Sequence, residues 1–276
     1  MAADVARPVS RDGVLRTPPP DAWSLDRAEP CAALTPFLVW HWSVAWDLRG
    51  RDPHHQVTLP HPSPHLVVEP DGAWLYGPNS TRFERTMSGA GRVVGTRFRP
   101  GALRGLLDGP VRDLADQRVD AGTLRGLDAG ALTAAVWAEA DTAAAFALLE
   151  DALAPLLCGE PDPQAVLADR AVALLEQDRT VHRVPDLAAR LGLSVRSVQR
   201  LFSEYVGLGP AWVVRRYRLH DAAAAALEGD DVDWARLAAE LGYADQAHLV
   251  REFSAVVGTP PARYAAGGRG GGAVTS

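Results

Sequence analysis

LAARLGLSVRSVQRLFSEYVGLGP, residues 187–210, is answered further along the chain by LAAELGYADQAHLVREFSAVVGTPP, residues 237–261. Leu187, Ala188, Ala189, Leu191 and Gly192 recur as Leu237, Ala238, Ala239, Leu241 and Gly242, an offset of 50. Beyond the glycine the offset becomes 51, and Arg200, Phe202, Ser203, Val206, Gly207 and Pro210 return as Arg251, Phe253, Ser254, Val257, Gly258 and Pro261. A repeat that keeps apolar, glycine and arginine positions together is a duplicated structural unit rather than an accident of composition.

Within the first copy, Leu187 and Leu191 lie one helical turn apart, and Gly192 stands where a helix ends in the left-handed conformation. Ser194 is placed to cap the next helix. There, Val198, Leu201, Phe202 and Tyr205 form an inward stripe, leaving Arg196, Gln199, Arg200 and Ser203 outside. A short helix, a glycine turn and a capped second helix with an Arg/Gln face describe a helix-turn-helix, whose second helix enters the major groove of DNA. Arg pairs bidentately with guanine and Gln with adenine. A solvated helix face is the competing reading of one copy alone; the repetition weighs against it. In the second copy Ala244 occupies the cap position, leaving Asp245 to cap, with Leu249 and Phe253 inward and Gln246, Ala247, Val250 and Arg251 outward.

Between the copies, PAWVVRRYRLHDAAAAALEG predicts a helix from Pro210 to a cap at Gly229. Its length of roughly 25 to 30 Å, at 1.5 Å per residue, approaches the ~34 Å repeat of DNA. Arg215 and Arg216 are candidates for phosphate contact or for buried pairing with the helix-turn-helix units, and Ser194 and Ser203 for phosphate contact, whereas Arg218 beside Leu219 reads as structural.

RLFSEYVGLGP in the first copy and GYADQAHLVREFSAVVGTPPARY in the second resemble the DNA-binding domain of the AraC/XylS family of transcriptional regulators, over about 100 residues from near Asp162 to Tyr264. The resemblance implies that Arg196, Gln199 and Arg200 lie on one recognition helix and Gln246, Ala247 and Arg251 on the other. Ala244, Leu249 and Val250 depart from the residues usual in that family and put the strength of the second readout in doubt. It further implies an N-terminal domain, often a cupin-like β-barrel with trailing helices, that senses a small molecule or holds a homodimer, and contact with RNA polymerase if the protein activates. GTRFRPGALRGLL, residues 95–107, resembles a motif of uncharacterised domains that precede this DNA-binding module.

The 276 residues accommodate two domains. Composition is that of a soluble globular chain, with no apolar run long enough to span a membrane and no secretory h-region at the start. Cys31 and Cys158 are isolated, which excludes a disulfide framework or thiolate zinc site and fits a cytoplasmic protein. All 28 basic residues are arginine. The net charge of −6 is uneven: residues 1–179 carry 17 Arg against 24 acids, residues 180–265 carry 10 against 10, and Arg269 follows. Any DNA footprint therefore comes from local clustering of arginine.

The expected fold is α+β: a β-rich N-terminal domain, cupin-like or a small barrel, with trailing helices, followed by an all-α domain of two helix-turn-helix units joined by a helix. Strand-like runs LVWHWSVAW, HQVTL, HLVVE, AWLYG and RVVGTRF fall between residues 31 and 101, then Ala143, Phe146, Leu149 and Leu153 mark a helix. The boundaries follow as 1–157, a linker at 158–163 within the Gly- and Pro-containing segment CGEPDPQ (Cys158 to Gln164), the helical domain at 164–265, and a tail at 266–276. Residues up to Trp23 read as a frayed leader.

Within the N-terminal domain, Trp40, Trp42, Trp46, Trp74 and Tyr76 are either core or the wall of a ligand pocket. His54, His55, His61 and His65, with His41 and Glu69, raise the alternative of a metal-binding or small-molecule-binding protein, even an enzyme, to which the helical module is appended. Their spacing matches no metal motif. The reading carried forward is a non-enzymatic regulator binding double-stranded DNA, with no metal, cofactor or membrane partner assigned.

Overall fold

A computed structural model describes residues 21–58, 61–228 and 232–264, the side chains of 226–228 excepted. The leader up to residue 20, the Gly229 cap and the tail from 266 lie outside them. Eight strands come first: β1 (Trp23–Ala28), β2 (Leu38–Asp47), β3 (His54–Thr58), β4 (His65–Glu69), β5 (Gly72–Tyr76), β6 (Phe83–Met87), β7 (Ala90–Phe98) and β8 (Arg118–Asp120). Six form an antiparallel sheet in the order β1-β2-β7-β4-β5-β8, while β3 and β6 pair separately. Trp23 therefore opens a strand rather than ending a leader.

Strand alternation gives the large sheet two different faces. Leu66 and Val68 of β4, Ala73 and Leu75 of β5, and Val94 and Phe98 of β7 share one core with Leu132 and Val136 of α1 (Ala129–Ala138) and Phe146, Leu149 and Leu153 of α2 (Thr142–Leu153). Asp128 and Asp141 start these helices by accepting from the amides of Ala131 and Ala144. Ala143, expected on the inner stripe of α2, is exposed, and Ala145 takes that place. His41 is buried on this face, 3.1 Å from Glu150 and stacked on Phe146. Burial lowers its pKa against the pull of that carboxylate. Register slips between Leu38 and Trp40, so Leu38 joins the core while Trp40, Trp42, Val44 and Trp46 line the opposite face.

The remaining helices are α3 (Pro163–Gln177), α4 (Val184–Leu191), α5 (Val195–Leu201, continued by a π-helical turn at Phe202–Val206), α6 (Pro210–Glu228), α7 (Trp234–Glu240) and α8 (Gln246–Val257). They build two small cores. Ala168, Val172, Leu175, Leu187, Val198, Leu201, Phe202, Val213 and Tyr217 form one; Leu219, Ala222, Ala223, Ala238, Leu241, Leu249, Phe253 and Val257 form the other. α6 enters the first with its N-terminal half and the second with its C-terminal half, so a single 19-residue helix ties the repeated units together.

Candidate nucleic-acid interface and the cavity behind it

The first repeat folds as its residue types require. Asp186 accepts from the amides of Arg183 and His182 at the start of α4, and Gly192 ends it at φ 67°. Ser194 caps α5 by accepting from Ser197 N at 3.1 Å. With Val198, Leu201 and Phe202 buried, Arg196, Gln199 and Arg200 are left exposed on one face. Among the described residues no carboxylate lies within ion-pairing distance of either arginine.

The second repeat caps both of its helices with aspartate: Asp233 accepts from Ala235 N and Arg236 N, and Asp245 from His248 N at 2.7 Å. Gly242 turns the chain at φ 70°. Gln246, Ala247 and Arg251 are exposed over buried Leu249 and Phe253, whereas Val250, expected outside, is half-buried.

The expected phosphate contacts fare unevenly. Arg215 is 55% exposed, with a guanidinium nitrogen 3.8 Å from Glu252 of α8. Arg216 is only 3% exposed and cannot reach a phosphate. It shares the inward face of α6 with Val213 and Tyr217 at helical spacing, and burial pushes its pKa down to about 9. Ser194 spends its hydroxyl on the cap, and Ser203 accepts from Arg112 at 2.9 Å. Arg218 is structural, lying 3.9 Å over the ring of Tyr243.

Arg112 belongs to the N-terminal part, which grips the end of the first recognition helix. Arg104 pairs with Glu204 at 3.2 Å. Gly207, at φ 86°, lies so close that an added Cβ would meet Pro78 at 2.7 Å and the Val111 carbonyl at 2.9 Å. The FRPG segment joins the same contact surface: Gly101, at φ 89°, packs on Ala165 of α3, and Arg99 reaches Asp169 at 3.3 Å. Tyr205 donates to Asp162 at 2.6 Å.

On the face of the large sheet away from α1 and α2 lies a cavity of about 240 Å³, covered by β3 and β6. Trp23, Trp40, Trp42, Trp46, Tyr76 and Phe83 supply its aromatic wall. Trp74, grouped with them from the sequence, instead lies beneath the Arg118 guanidinium, 3.6 Å from its ring centre. Gly91 and Gly95 of β7 make room for the indoles, since a Cβ would fall 2.5 Å from Trp46 and 2.8 Å from Trp42. Trp23, Phe83, Arg85 and Arg97 were not picked out from the sequence, although Gly91, Gly95 and Arg97 share one strand face.

The polar lining has two poles. At one, Glu69 is buried and accepts from Tyr76 at 2.8 Å, from Arg118 at 2.8 Å and from Arg85. Burial, with this carboxylate, pushes the Tyr76 hydroxyl up to about 12. At the other pole Arg97 lies over Trp40, 4.5 Å from the ring centre, with a nitrogen 2.6 Å from His61. Burial and then Arg97 hold His65 down to about 3 and His61 well below its usual value. His61 meets the Tyr217 hydroxyl at 3.2 Å, and His220 completes the wall, so this pole rests on α6.

The sequence cluster of histidines is thereby dispersed. His41 faces the helices, His61 and His65 face the cavity, and His55 pairs with Glu84 at 3.2 Å on the outer two-stranded sheet. Among the described residues no three of His, Cys, Asp or Glu are grouped to hold a metal. Nor is any helix among them long and apolar enough to cross a membrane.

Comparison with known proteins matches two separate stretches of the chain. Residues 26–120 match a domain of unknown function (DUF6597), and residues 187–267 match a helix-turn-helix domain family. No curated protein matches the chain. Similar solved structures include an AraC-type transcriptional regulator from Chromobacterium violaceum, at 22% identity and TM-score 0.33 over 38% of this chain and 90% of that one. The C-terminal domain of AraT, a response regulator from Geobacillus stearothermophilus, follows at 18% identity and TM-score 0.33 over 38% and 86%. Unsaturated fatty acid bound ToxT from Vibrio cholerae shows 13% identity and TM-score 0.36 over 88% and 95%. Residues 187–267 thus belong to a helix-turn-helix domain family, and residues 26–120 to a domain family of unknown function.

Proposed function

We propose that the protein reads two consecutive major-groove segments, placing α5 in one and α8 in the next, and that its N-terminal domain modulates the outcome. Arg196, Gln199 and Arg200 contact bases from the first unit; Gln246, Ala247 and Arg251 serve the second. Arg215 stands for a phosphate contact, and Ser194 and Ser203 join it only on leaving their partners Ser197 and Arg112. The observation that carries the reading is the exposed Arg/Gln face of α5, which no acidic residue neutralises among the described residues. A small-molecule effector in the aromatic cavity, a homodimer through the N-terminal domain, contact with RNA polymerase and action in the cytoplasm complete the proposal. The protein works by binding rather than catalysis.

The test is DNA affinity measured across salt concentrations. Several phosphate contacts give a log–log slope of about −0.9 per phosphate neutralised. A flat salt response would remove the DNA-binding reading and leave the helices as a protein-contact module.

A further inference from the structure

We infer that the cavity takes a flat, uncharged aromatic molecule of one or two fused rings, seated against the indoles of Trp42 and Trp46. The inference deepens the effector reading above and rests on it.

Shape favours a flat ring. Cavity-facing positions of β2 are Trp40, Trp42, Val44 and Trp46, and β7 answers them with Gly91, Val93, Gly95 and Arg97. The ring of Trp46 lies over Gly91 and that of Trp42 over Gly95, on bare backbone where side chains would otherwise stand. Their polar edges are spent: Trp42 Nε1 donates to His65 Nδ1 at 3.2 Å, and Trp46 Nε1 to the Ser88 carbonyl at 3.2 Å. What these two residues offer a guest is carbon surface, which pairs with another aromatic ring in offset or edge geometry. Trp40 is already taken, with Arg97 4.5 Å and Arg27 5.4 Å from its ring centre. At about 240 Å³, the space falls below the roughly 300–1,000 Å³ typical of drug-sized ligands and suits one or two fused rings.

Charge on the wall is already engaged. Glu69 accepts from Tyr76, Arg118 and Arg85, which commits both the acid and Arg85. Arg97 stands against His61 at 2.6 Å and the Trp40 ring, and the Asp169 carboxylate acts on it. Arg27 lies over the same indole. Burial and then Arg97 keep His61 and His65 neutral, so neither supplies a cation. A charged guest would lose its hydration and find a counter-charge only by breaking one of these arrangements, whereas an uncharged ring leaves all of them intact. Gln56, Thr58 and Asn79 also line the cavity and suit one neutral hydrogen-bonding group on the guest.

The experiment titrates the full-length protein with 2-naphthylmethanol, 2-naphthoate, 2-naphthylmethylammonium and decanol, by calorimetry. 2-Naphthylmethanol is expected to bind one molecule per chain at least about tenfold more tightly than each of the other three, a difference of about 1.4 kcal/mol. Val93→Phe fills the cavity without changing charge and should abolish this binding. Because Val93 is buried, Val93→Leu serves as a second, smaller filling that should weaken binding while the protein still melts cooperatively. Equal or tighter binding of either ion or of decanol, binding unchanged in both variants, or no binding of any probe overturns the ligand class. DNA affinity measured on the same samples separates the two levels: intact DNA binding without probe binding sinks only this inference, and absent DNA binding sinks the regulator reading.

Discussion

The two helix-turn-helix units share a framework and differ in what surrounds it. In both, an acidic or hydroxyl cap, a left-handed glycine and a fully buried phenylalanine, Phe202 or Phe253, set a short recognition helix. The first presents Arg196, Gln199 and Arg200, and the N-terminal part grips its end through Arg104, Arg112 and the close approach at Gly207. The second presents Gln246, Ala247 and Arg251, and its end glycine, Gly258, faces only the tip of Arg82. Duplication supplies the scaffold; the contacts with the N-terminal part concentrate in the first copy, and we propose that base reading does too.

Removing the shared framework has the largest effect. Phe202→Ala and Phe253→Ala each empty a closed site and should cost about 3–5 kcal/mol, read as loss of stability in denaturant melts. The comparison fails if the first is tolerated, because the N-terminal contact would then be holding that unit together without its own core.

Next come the exposed faces. Arg200→Ala is expected to weaken specific binding by about 1–3 kcal/mol and relax one base position, whereas Arg251→Ala should lose less and lose it more evenly across sequences. Matching losses in quantitative binding to a set of single-base variants would erase the distinction between the copies.

The glycines sharpen the contrast at smaller scale. Gly192 and Gly207 both have positive φ, but an added Cβ meets nothing within 4 Å at Gly192 and collides with Pro78 and Val111 at Gly207. Gly192→Ala should therefore show only the backbone cost of about 1–2 kcal/mol, and Gly207→Ala visibly more. Equal losses in thermal melts mean that the grip on the first unit contributes no stability.

The smallest effect is pH-dependent and belongs to the N-terminal side. His65 is held near 3, below the 6.5 of an unfolded histidine, by burial and then by Arg97. A depressed pKa means the unfolded chain binds more protons between those values, so the contribution is complete above about 6.5 and is lost as pH falls toward 3. Hydrogen exchange should show protection around β4 and β7 falling between pH 7 and 4.5, with α7 and α8 less affected. Uniform loss would contradict the assignment to His65.

Much of this organisation is legible in the sequence because the relevant forces are local. Helical spacing exposes the repeat, and short runs bounded by Pro, Gly, Asp and Asn expose β2, β4, β5 and β7. β1 was missed because charged Asp26 and Arg27 blur its alternation beside a proline-rich stretch, and β6 because FERTM is polar on its exposed side. The cavity was harder, since alternation separates two faces of a strand without saying which meets helices and which meets empty space. Gly91 and Gly95, in phase with Arg97 and opposite tryptophans, are the trace that was there to read. For Arg216 the spacing from Val213 already favoured the buried alternative over phosphate contact, since it puts the side chain on the inner face of α6.

The central claim, that the first copy carries most of the sequence discrimination, is tested most directly by selecting bound sequences from random DNA with the full-length protein and with Arg200→Ala. A two-part site with stronger base preference in one half is expected, with loss of preference at one position of that half in the variant. Two halves of equal preference, or a variant that alters the weaker half, would contradict it.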